Sequence, residues 1–141
     1  MEKPKVLFIC TGNSVRSQMA HGFLRHYAGE QADIYSAGIT PAGVHRLTRK
    51  VMSEAGVSMD GHESNHVQEY VHIPFDYIIT LCEVAALDCP AYPGNGIKLS
   101  WFVEDPIRVM GDETRRLSAF RITRNLIRTK VKEFIRNQLE S

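Results

Sequence analysis

The sequence predicts an α/β fold, a three-layer sandwich with a four-stranded parallel sheet. Apolar runs of strand length alternate along the chain with amphipathic helical stripes, which is typical of this class. The first run, Val6–Ile9, has no polar interruption, as expected for a strand that is buried on both faces. The 141 residues fit one domain, which we place at 1–141.

Local patterns define the elements in chain order. The four predicted strands cover residues 6–10, 33–37, 75–81 and 97–102. A first helix begins at Ser17 and is expected to end at Gly29, which can cap it. A second helix covers 47–55 and stops at Gly56, and a long amphipathic helix covers 112–139. We see no linker, repeat or low-complexity segment.

Composition argues against several kinds of partner. The net charge is +1, which favours neither nucleic acid nor a membrane surface. Eight of the 17 Lys and Arg lie between Arg115 and Arg136, where the solvated face of a helix explains them better than a nucleic-acid surface. No segment suits a membrane span, and the apolar run at the start is too short for a signal peptide. We therefore expect a cytoplasmic protein without nucleic-acid or membrane partners.

Three chemically capable residues follow three different strands. Cys10 ends the first strand, Cys82 follows the third, and Asp105 follows the fourth. In doubly wound sheets the ligand lies beyond the carboxyl ends of the strands, where the strand order reverses. If the sheet is parallel, these residues meet at one rim.

The segment between the first strand and the first helix has the pattern Cys-x5-Arg-Ser. Its predicted oxyanion-binding loop consists of Thr11, Gly12, Asn13, Ser14, Val15 and Arg16. Backbone N–H groups at a helix N-terminus attract an anion, and the planar fork of Arg16 matches two oxygens of a tetrahedral oxyanion. Gly12 is expected to supply a backbone conformation that other residues resist.

Cys10 is the predicted nucleophile of this loop. The same donors that attract an anion also stabilise a thiolate. We expect the Ser17 hydroxyl to hydrogen-bond the sulfur of Cys10 and the Asn13 amide to hold the shape of the loop. The alternative is a structural cysteine followed by an incidental arginine, which the position of the motif between strand and helix disfavours.

Cys82 and Cys89 are the other two cysteines. An odd number of cysteines does not close a disulfide framework, and a cytosolic setting keeps thiols reduced. Their spacing differs from that of zinc ribbons. Two interpretations of the pair remain open. The cysteines are either two inert thiols in a flexible loop over 82–96 or a pair that is active in disulfide exchange.

Two further motifs carry possible chemistry. Asp105-Pro106 restrains the aspartate and suits a general acid, although a plain turn residue is the alternative. His62-Glu63-Ser64-Asn65-His66 matches a zinc-protease pattern, but Ser64 or Asn65 suits a helix cap and would start the helix inside the motif, so we expect no zinc there. The remaining histidines, expected to be surface or partly buried polar residues, are His21, His26, His45 and His72.

The loop sequence CTGNSVRS resembles that of the low-molecular-weight protein tyrosine phosphatases. It is more similar to the loop of the thioredoxin-coupled arsenate reductases, which share that fold. The resemblance extends through Ser36-Ala37-Gly38, the cysteine pair, Asp105-Pro106 and the final helix. It implies a low-molecular-weight tyrosine phosphatase-like fold and an enzyme without an organic cofactor.

The resemblance also implies a mechanism, with Cys10, Arg16, Ser17, Cys82, Cys89 and Asp105 as catalytic residues. Cys10 attacks arsenate, Cys82 attacks Cys10 and releases arsenite, and Cys89 moves the disulfide to Cys82, from which thioredoxin removes it. Phosphate and sulfate are expected to compete with arsenate, and the protein is expected to be monomeric.

Two alternatives remain open. One is a phosphatase that hydrolyses phosphomonoesters through a Cys10 phosphocysteine, although Val15 and Ile107 depart from the tyrosine phosphatase pattern. The other is a non-catalytic sensor of oxyanions or thiol-reactive compounds. Some arsenate reductases of this family bind potassium through the loop asparagine and a carboxylate of the first helix. Here His21 stands at the carboxylate position, so we expect no metal.

Overall fold

A computed structural model describes residues 2–140, except for the side chains of residues 84, 86 and 87, so the two ends of the predicted domain, Met1 and Ser141, lie outside it. The four predicted strands are present as β1 (Lys5–Cys10), β2 (Asp33–Gly38), β3 (Tyr77–Thr80) and β4 (Ile97–Ser100). They form one parallel sheet in the order β2-β1-β3-β4, and the predicted fold class is confirmed.

Of the four α-helices in the described residues, the first, second and fourth lie close to their predicted positions. The four helices are α1 (Arg16–Ala28), α2 (Arg46–Glu54), α3 (Glu83–Asp88) and α4 (Glu113–Phe134), which continues as a π-helical turn over Ile135–Leu139. Short 3₁₀ helices cover Val67–Tyr70 and Pro106–Arg108. None of the described helices has the length and apolar character needed to cross a membrane.

Two local predictions are wrong. The segment between Cys82 and Cys89 was predicted as a loop but contains the helix α3. The helix after the histidine motif begins at Val67, and its cap is His66, rather than Ser64 or Asn65. The His66 imidazole accepts from a backbone N–H in the first turn, and the Glu69 carboxylate accepts from His66 N, so the two side chains form a reciprocal capping box.

Helices and loops cover both faces of the sheet. Phe8 contacts Trp101 on one face, and Trp101 packs against Phe134 of α4, with ring centroids 5.8 and 6.0 Å apart. On the opposite face, Tyr35 packs edge-to-face against Tyr70 at 5.1 Å. Because β1 is buried on both sides, its residues 6–9 have no exposed surface.

The strand order places the start of α1 at the centre of the sheet edge. The chain runs from β1 to β2 on one side and returns to β3 on the other, so the strand order reverses beside β1. At this edge Cys10 lies opposite Gly38 of β2. Cys82 and Asp105 come after the ends of β3 and β4 at the same edge, which is where doubly wound sheets bind ligands.

A polar cluster joins α1 to β2 beneath the loop. The ring of His21 lies 2.8 Å from Ser36 Oγ through Nδ1, and its centroid is 4.8 Å from that of His62. Burial, followed by the positive charges of His62 and Arg25, lowers the pKa of His21 to about 3. His21 is therefore neutral in the folded protein at physiological pH.

We expect Gly38→Ala to destabilise the fold. A Cβ at Gly38 would lie 2.7 Å from the backbone atoms Asn13 N and Thr11 O, which cannot move aside as a side chain can. Overpacking of this kind costs about 1–3 kcal/mol of unfolding free energy, measured by urea denaturation. The matched control is Gly12→Ala, whose Cβ would meet its nearest neighbours at 3.6 Å, an ordinary contact. Equal stabilities of the two variants would contradict the prediction.

We expect the protein to lose stability on acidification through His21. The folded-state pKa of about 3 lies below the ordinary value of 6.5, so between these pH values the unfolded chain binds a proton that the folded chain does not. Stability is thus fully present above pH 6.5 and falls as pH drops. From pH 6.5 to 5 the His21 contribution falls by roughly 1.5 to 2 kcal/mol. His21→Gln removes the titrating group, so its unfolding free energy should depend less steeply on pH; an unchanged slope would refute the assignment.

Candidate active site

Asn13 sets the shape of the loop between β1 and α1. Its φ is 46°, in the left-handed region, and it is the only such non-glycine residue among those described. The unusual conformation was predicted for Gly12, and that prediction is wrong, because Gly12 is outside this region. Asparagine tolerates the left-handed conformation better than most residues, because its short polar side chain can hydrogen-bond locally.

The buried Asn13 is held from several sides. Its Nδ2 donates to Ser17 Oγ at 2.8 Å, and its Oδ1 accepts from Asn65 N at 2.8 Å. Its backbone carbonyl accepts from Ser64 Oγ at 2.6 Å and from Gln18 Nε2 at 3.1 Å. Ser64 and Asn65, in the segment that follows α2, therefore stabilise the conformation of the loop by hydrogen bonds to Asn13.

The hydrogen bond predicted between Ser17 and Cys10 is present. Cys10 Sγ lies 2.9 Å from Ser17 Oγ, and the cysteine is only 2% exposed. The hydroxyl already accepts from Asn13 Nδ2, so its own proton is free to point at the sulfur. The arrangement thus supplies a donor to a Cys10 thiolate.

Arg16 is fixed in place at the first turn of α1. Its Nη1 donates to Val103 O at 2.9 Å, and its Nη2 donates to Asp105 Oδ2 at 3.3 Å. The side chain is 8% exposed, so it is a largely buried cation with a carboxylate partner. Two of its five N–H groups have partners in the described part of the chain, and a guanidinium can direct the others at an anion.

Asp105 is restrained through both carboxylate oxygens. Oδ1 accepts from Ile107 N at 3.0 Å and caps the 3₁₀ helix over Pro106–Arg108, while Oδ2 contacts Arg16. The proline at the first helical position fixes the backbone that follows. Asp105 therefore has both roles considered from the sequence: it caps a turn through Oδ1, and its carboxyl group faces the loop through the contact of Oδ2 with Arg16.

Cys82 lies beside the loop and at the start of α3. Its Sγ is 3.2 Å from Thr11 Oγ1, and it caps α3 by accepting from Ala85 N at 3.4 Å. The residue is 9% exposed. Cys82 thus contacts the residue that directly follows Cys10, although a long stretch of chain separates the two cysteines.

Cys89 lies at the far end of α3, outside this group. It is half-buried, and its thiol donates to Pro90 O at 3.4 Å. Burial raises the pKa of Cys89, and the positive charge of Lys98 opposes this effect. All three cysteines are free thiols.

A cavity of about 440 Å³ opens above the loop. It brings Cys10 and Asp105 together with Arg16, as predicted for two of the three strand ends. Cys82, the third residue predicted at this rim, is not among the residues that line the cavity and instead contacts the loop through Thr11. The segment after β2 forms much of the cavity wall, and no motif pointed to these residues: Thr40, Ala42, Gly43, Val44 and His45. The proximity of this segment follows only from the β1–β2 pairing, since Thr40 N and Ala42 N donate to Thr11 O and Gly12 O.

The histidine motif does not assemble a metal site. His62 Nδ1 lies 2.9 Å from Gln18 Oε1, and His66 caps a helix. At the position that the resemblance links to potassium, a neutral His21 is hydrogen-bonded to Ser36. Alkali cations bind oxygen ligands, so the His21 imidazole is a poor substitute for the carboxylate that the resemblance links to that ion. Among the described residues, no three His, Cys, Asp or Glu side chains group together as metal ligands.

Comparisons with known proteins agree with this geometry. A family model for low molecular weight phosphotyrosine protein phosphatases matches residues 5–141. An arsenate reductase from Halalkalibacterium halodurans is 37% identical over 134 residues, which is 95% of this chain and 96% of that protein. A solved arsenate reductase in its oxidized state has a TM-score of 0.80 at 28% identity and covers 94% of this chain and 96% of its own.

A thioredoxin-dependent arsenate reductase from Corynebacterium glutamicum is also similar in structure. It has a TM-score of 0.66 at 31% identity, and the match covers 96% of this chain and 64% of that one. The resemblance predicted from the loop, the cysteine pair and Asp105-Pro106 is confirmed. This chain belongs to the low molecular weight phosphotyrosine protein phosphatase family and is a relative of its arsenate reductases.

Proposed function

We propose that this protein reduces arsenate to arsenite through a thiol and disulfide relay of Cys10, Cys82 and Cys89, with thioredoxin as the electron donor. The observation that carries the proposal is the contact between Cys82 Sγ and Thr11 Oγ1 at 3.2 Å, because it brings a second sulfur to the loop that begins at Cys10. A phosphatase needs one cysteine. A reductase must supply two electrons, which a pair of thiols provides by forming a disulfide.

The first step forms a bond between sulfur and arsenic. Arg16 and the backbone N–H groups of the loop hold arsenate, and the Cys10 thiolate, supported by Ser17, attacks the arsenic atom. One arsenic–oxygen bond breaks, and Asp105 passes a proton from the bound dihydrogen arsenate to the departing hydroxyl, which leaves as water. Arsenic remains pentavalent in this adduct.

The second step is the reduction. The Cys82 thiolate attacks the sulfur of Cys10, and the sulfur–arsenic bond breaks with its electron pair remaining on arsenic. Arsenite departs with trivalent arsenic. The two electrons that arsenic gains come from the two cysteines, which are oxidised to the Cys10–Cys82 disulfide. Cys82 Sγ accepts a hydrogen bond from Ala85 N at the N-terminus of α3, which stabilises a thiolate there.

The third step restores Cys10 and requires α3 to open. The seven steps from Cys82 to Cys89 correspond to about 10 Å of helical rise, whereas the Cα atoms of a disulfide lie about 4.4–6.8 Å apart. Cys89 can therefore attack Cys82 only after the helix unwinds. Its product is a Cys82–Cys89 disulfide, which thioredoxin reduces. We further propose that the protein acts as a monomer in the cytoplasm, where thioredoxin keeps thiols reduced.

Cysteine variants separate the relay from the phosphatase alternative. Cys10→Ser should abolish every activity. Cys82→Ser should release no arsenite, and Cys89→Ser should release one arsenite per protein and stop as the Cys10–Cys82 disulfide. The measurement is NADPH consumption with arsenate, thioredoxin and thioredoxin reductase, together with the intact mass of the stopped protein.

Two results would contradict the proposal. Multiple turnovers by Cys82→Ser or Cys89→Ser with thioredoxin would remove the relay. NADPH consumption only with glutaredoxin and glutathione, the control pair of reductants, would remove thioredoxin as the partner.

Asp105→Asn tests the general acid. Asparagine can keep the hydrogen bond to Ile107 N and the contact with Arg16, but it cannot release a proton. We expect kcat for arsenate to fall about 100-fold or more, the usual range for loss of a general acid, with little change in thermal stability. An unchanged kcat would exclude Asp105 from proton transfer.

A further inference from the structure

His45 lies on the wall of the cavity and takes no part in the steps above. We propose that His45 is a further substrate-binding residue, whose Nε2–H donates to an oxygen of the tetrahedral oxyanion that Arg16 and the loop hold. The proposal rests on the function proposed above, in that the oxyanion is the substrate. It is argued from the position of the ring, its tautomer and its charge.

The position of His45 is fixed by the loop itself. His45 N donates to Ser14 O at 3.1 Å, and Thr48 Oγ1 donates to the same carbonyl at 3.0 Å. The ring packs against Phe120 of α4, with centroids 5.0 Å apart. The imidazole therefore has a defined place relative to the oxyanion loop, supported from α2 and from α4.

The tautomer of the neutral ring follows from the start of α2. His45 is the cap of this helix, and its Nδ1 accepts from Leu47 N at 3.0 Å. A nitrogen that accepts a hydrogen bond carries no proton, so the proton of the neutral ring is on Nε2. Nothing in the part of the chain that the structure describes accepts a hydrogen bond from this N–H.

The charges around His45 favour the neutral ring. Burial, then Arg116 of α4 and the neighbouring Arg46, lower the pKa of His45 below 6.5, and the Asp105 carboxylate opposes them. Above pH 7 the ring is thus a neutral donor. The only edge that it can offer is an N–H, which selects an acceptor such as an oxyanion oxygen.

Asparagine and glutamine divide the two roles of the ring. The polar atoms of asparagine are at the distance of Nδ1 from the backbone, so His45→Asn keeps the helix cap and loses the distal donor. The amide of glutamine reaches the distance of Nε2, so His45→Gln keeps the donor and loses the cap. Sulfate is the probe, because it stays doubly negative across the pH range and undergoes no reduction by thiols here.

We expect isothermal titration at pH 7.5 to show roughly tenfold weaker sulfate binding by His45→Asn, the size expected for loss of one hydrogen bond to an anion. Its melting temperature should match the unmodified protein. His45→Gln should bind sulfate within about threefold of the unmodified protein and melt at a lower temperature. The tenfold ratio should be the same at pH 7 and pH 8.5, because the ring is neutral at both.

Three results would overturn the proposal. The first is normal sulfate affinity in His45→Asn. The second is weakened sulfate binding in His45→Gln alone, which would indicate that His45 only caps the helix. The third is no sulfate binding by the unmodified protein. Sulfate binding needs no turnover. If the protein failed to reduce arsenate, the proposed function would be wrong, but the sulfate result for His45 would still hold. If His45→Asn bound sulfate normally, the role of His45 would be wrong, but the proposed function would be unaffected.

Discussion

The left-handed backbone at Asn13 is the constraint on which the site depends. It turns the amide toward Ser17, and the Ser17 hydroxyl in turn faces the sulfur of Cys10. The chain of hydrogen bonds starts outside the loop, at Asn65 N. The nucleophile is thus oriented by a segment that is distant in the chain and packed against the loop, rather than by the loop alone.

A second constraint is the ion pair between Arg16 and Asp105. A buried guanidinium needs a partner, and its carboxylate partner is the residue suited to deliver a proton. The segment after β4 therefore has two roles: its Asp105 carboxylate neutralises Arg16, and the 3₁₀ helix that Asp105 caps orients this carboxylate. The opposite wall, formed after β2, supplies His45, which adds a directed donor without adding charge.

The sequence predicts the sheet well, because a buried strand appears in the sequence as a short, continuous run of apolar residues. The run at 6–9 is apolar on both faces, and so short an apolar run, bounded by polar residues and a turn, is typical of a central strand. The loop is also predictable, since Cys10, Arg16 and Ser17 are close in the chain and the resemblance is specific. The role of Gly12 was misassigned because glycine is the usual left-handed residue, whereas here hydrogen bonds favour Asn13.

What the sequence does not predict depends on contacts between distant segments. His45 has no motif, and its place at the cavity follows from strand pairing that brings the segment after β2 against the loop. The helix α3 was missed because its six residues lie before a stretch rich in proline and glycine, which favours a loop. Local propensity is a weak guide for so short an element, whose first turn is capped by a sulfur.

The short helix α3 has a consequence for the order in which the cysteines can react. Cys82 and Cys89 flank α3, and the rise of a helix of this length exceeds the Cα–Cα distance that a disulfide spans, so direct oxidation of the pair by oxygen or peroxide would require the turn to unwind. The hydrogen bond from Ala85 N to Cys82 Sγ stabilises the first turn, and a reaction at Cys82 would weaken it. In the relay proposed above, the Cys82–Cys89 disulfide therefore forms after reaction at Cys82 and not before it.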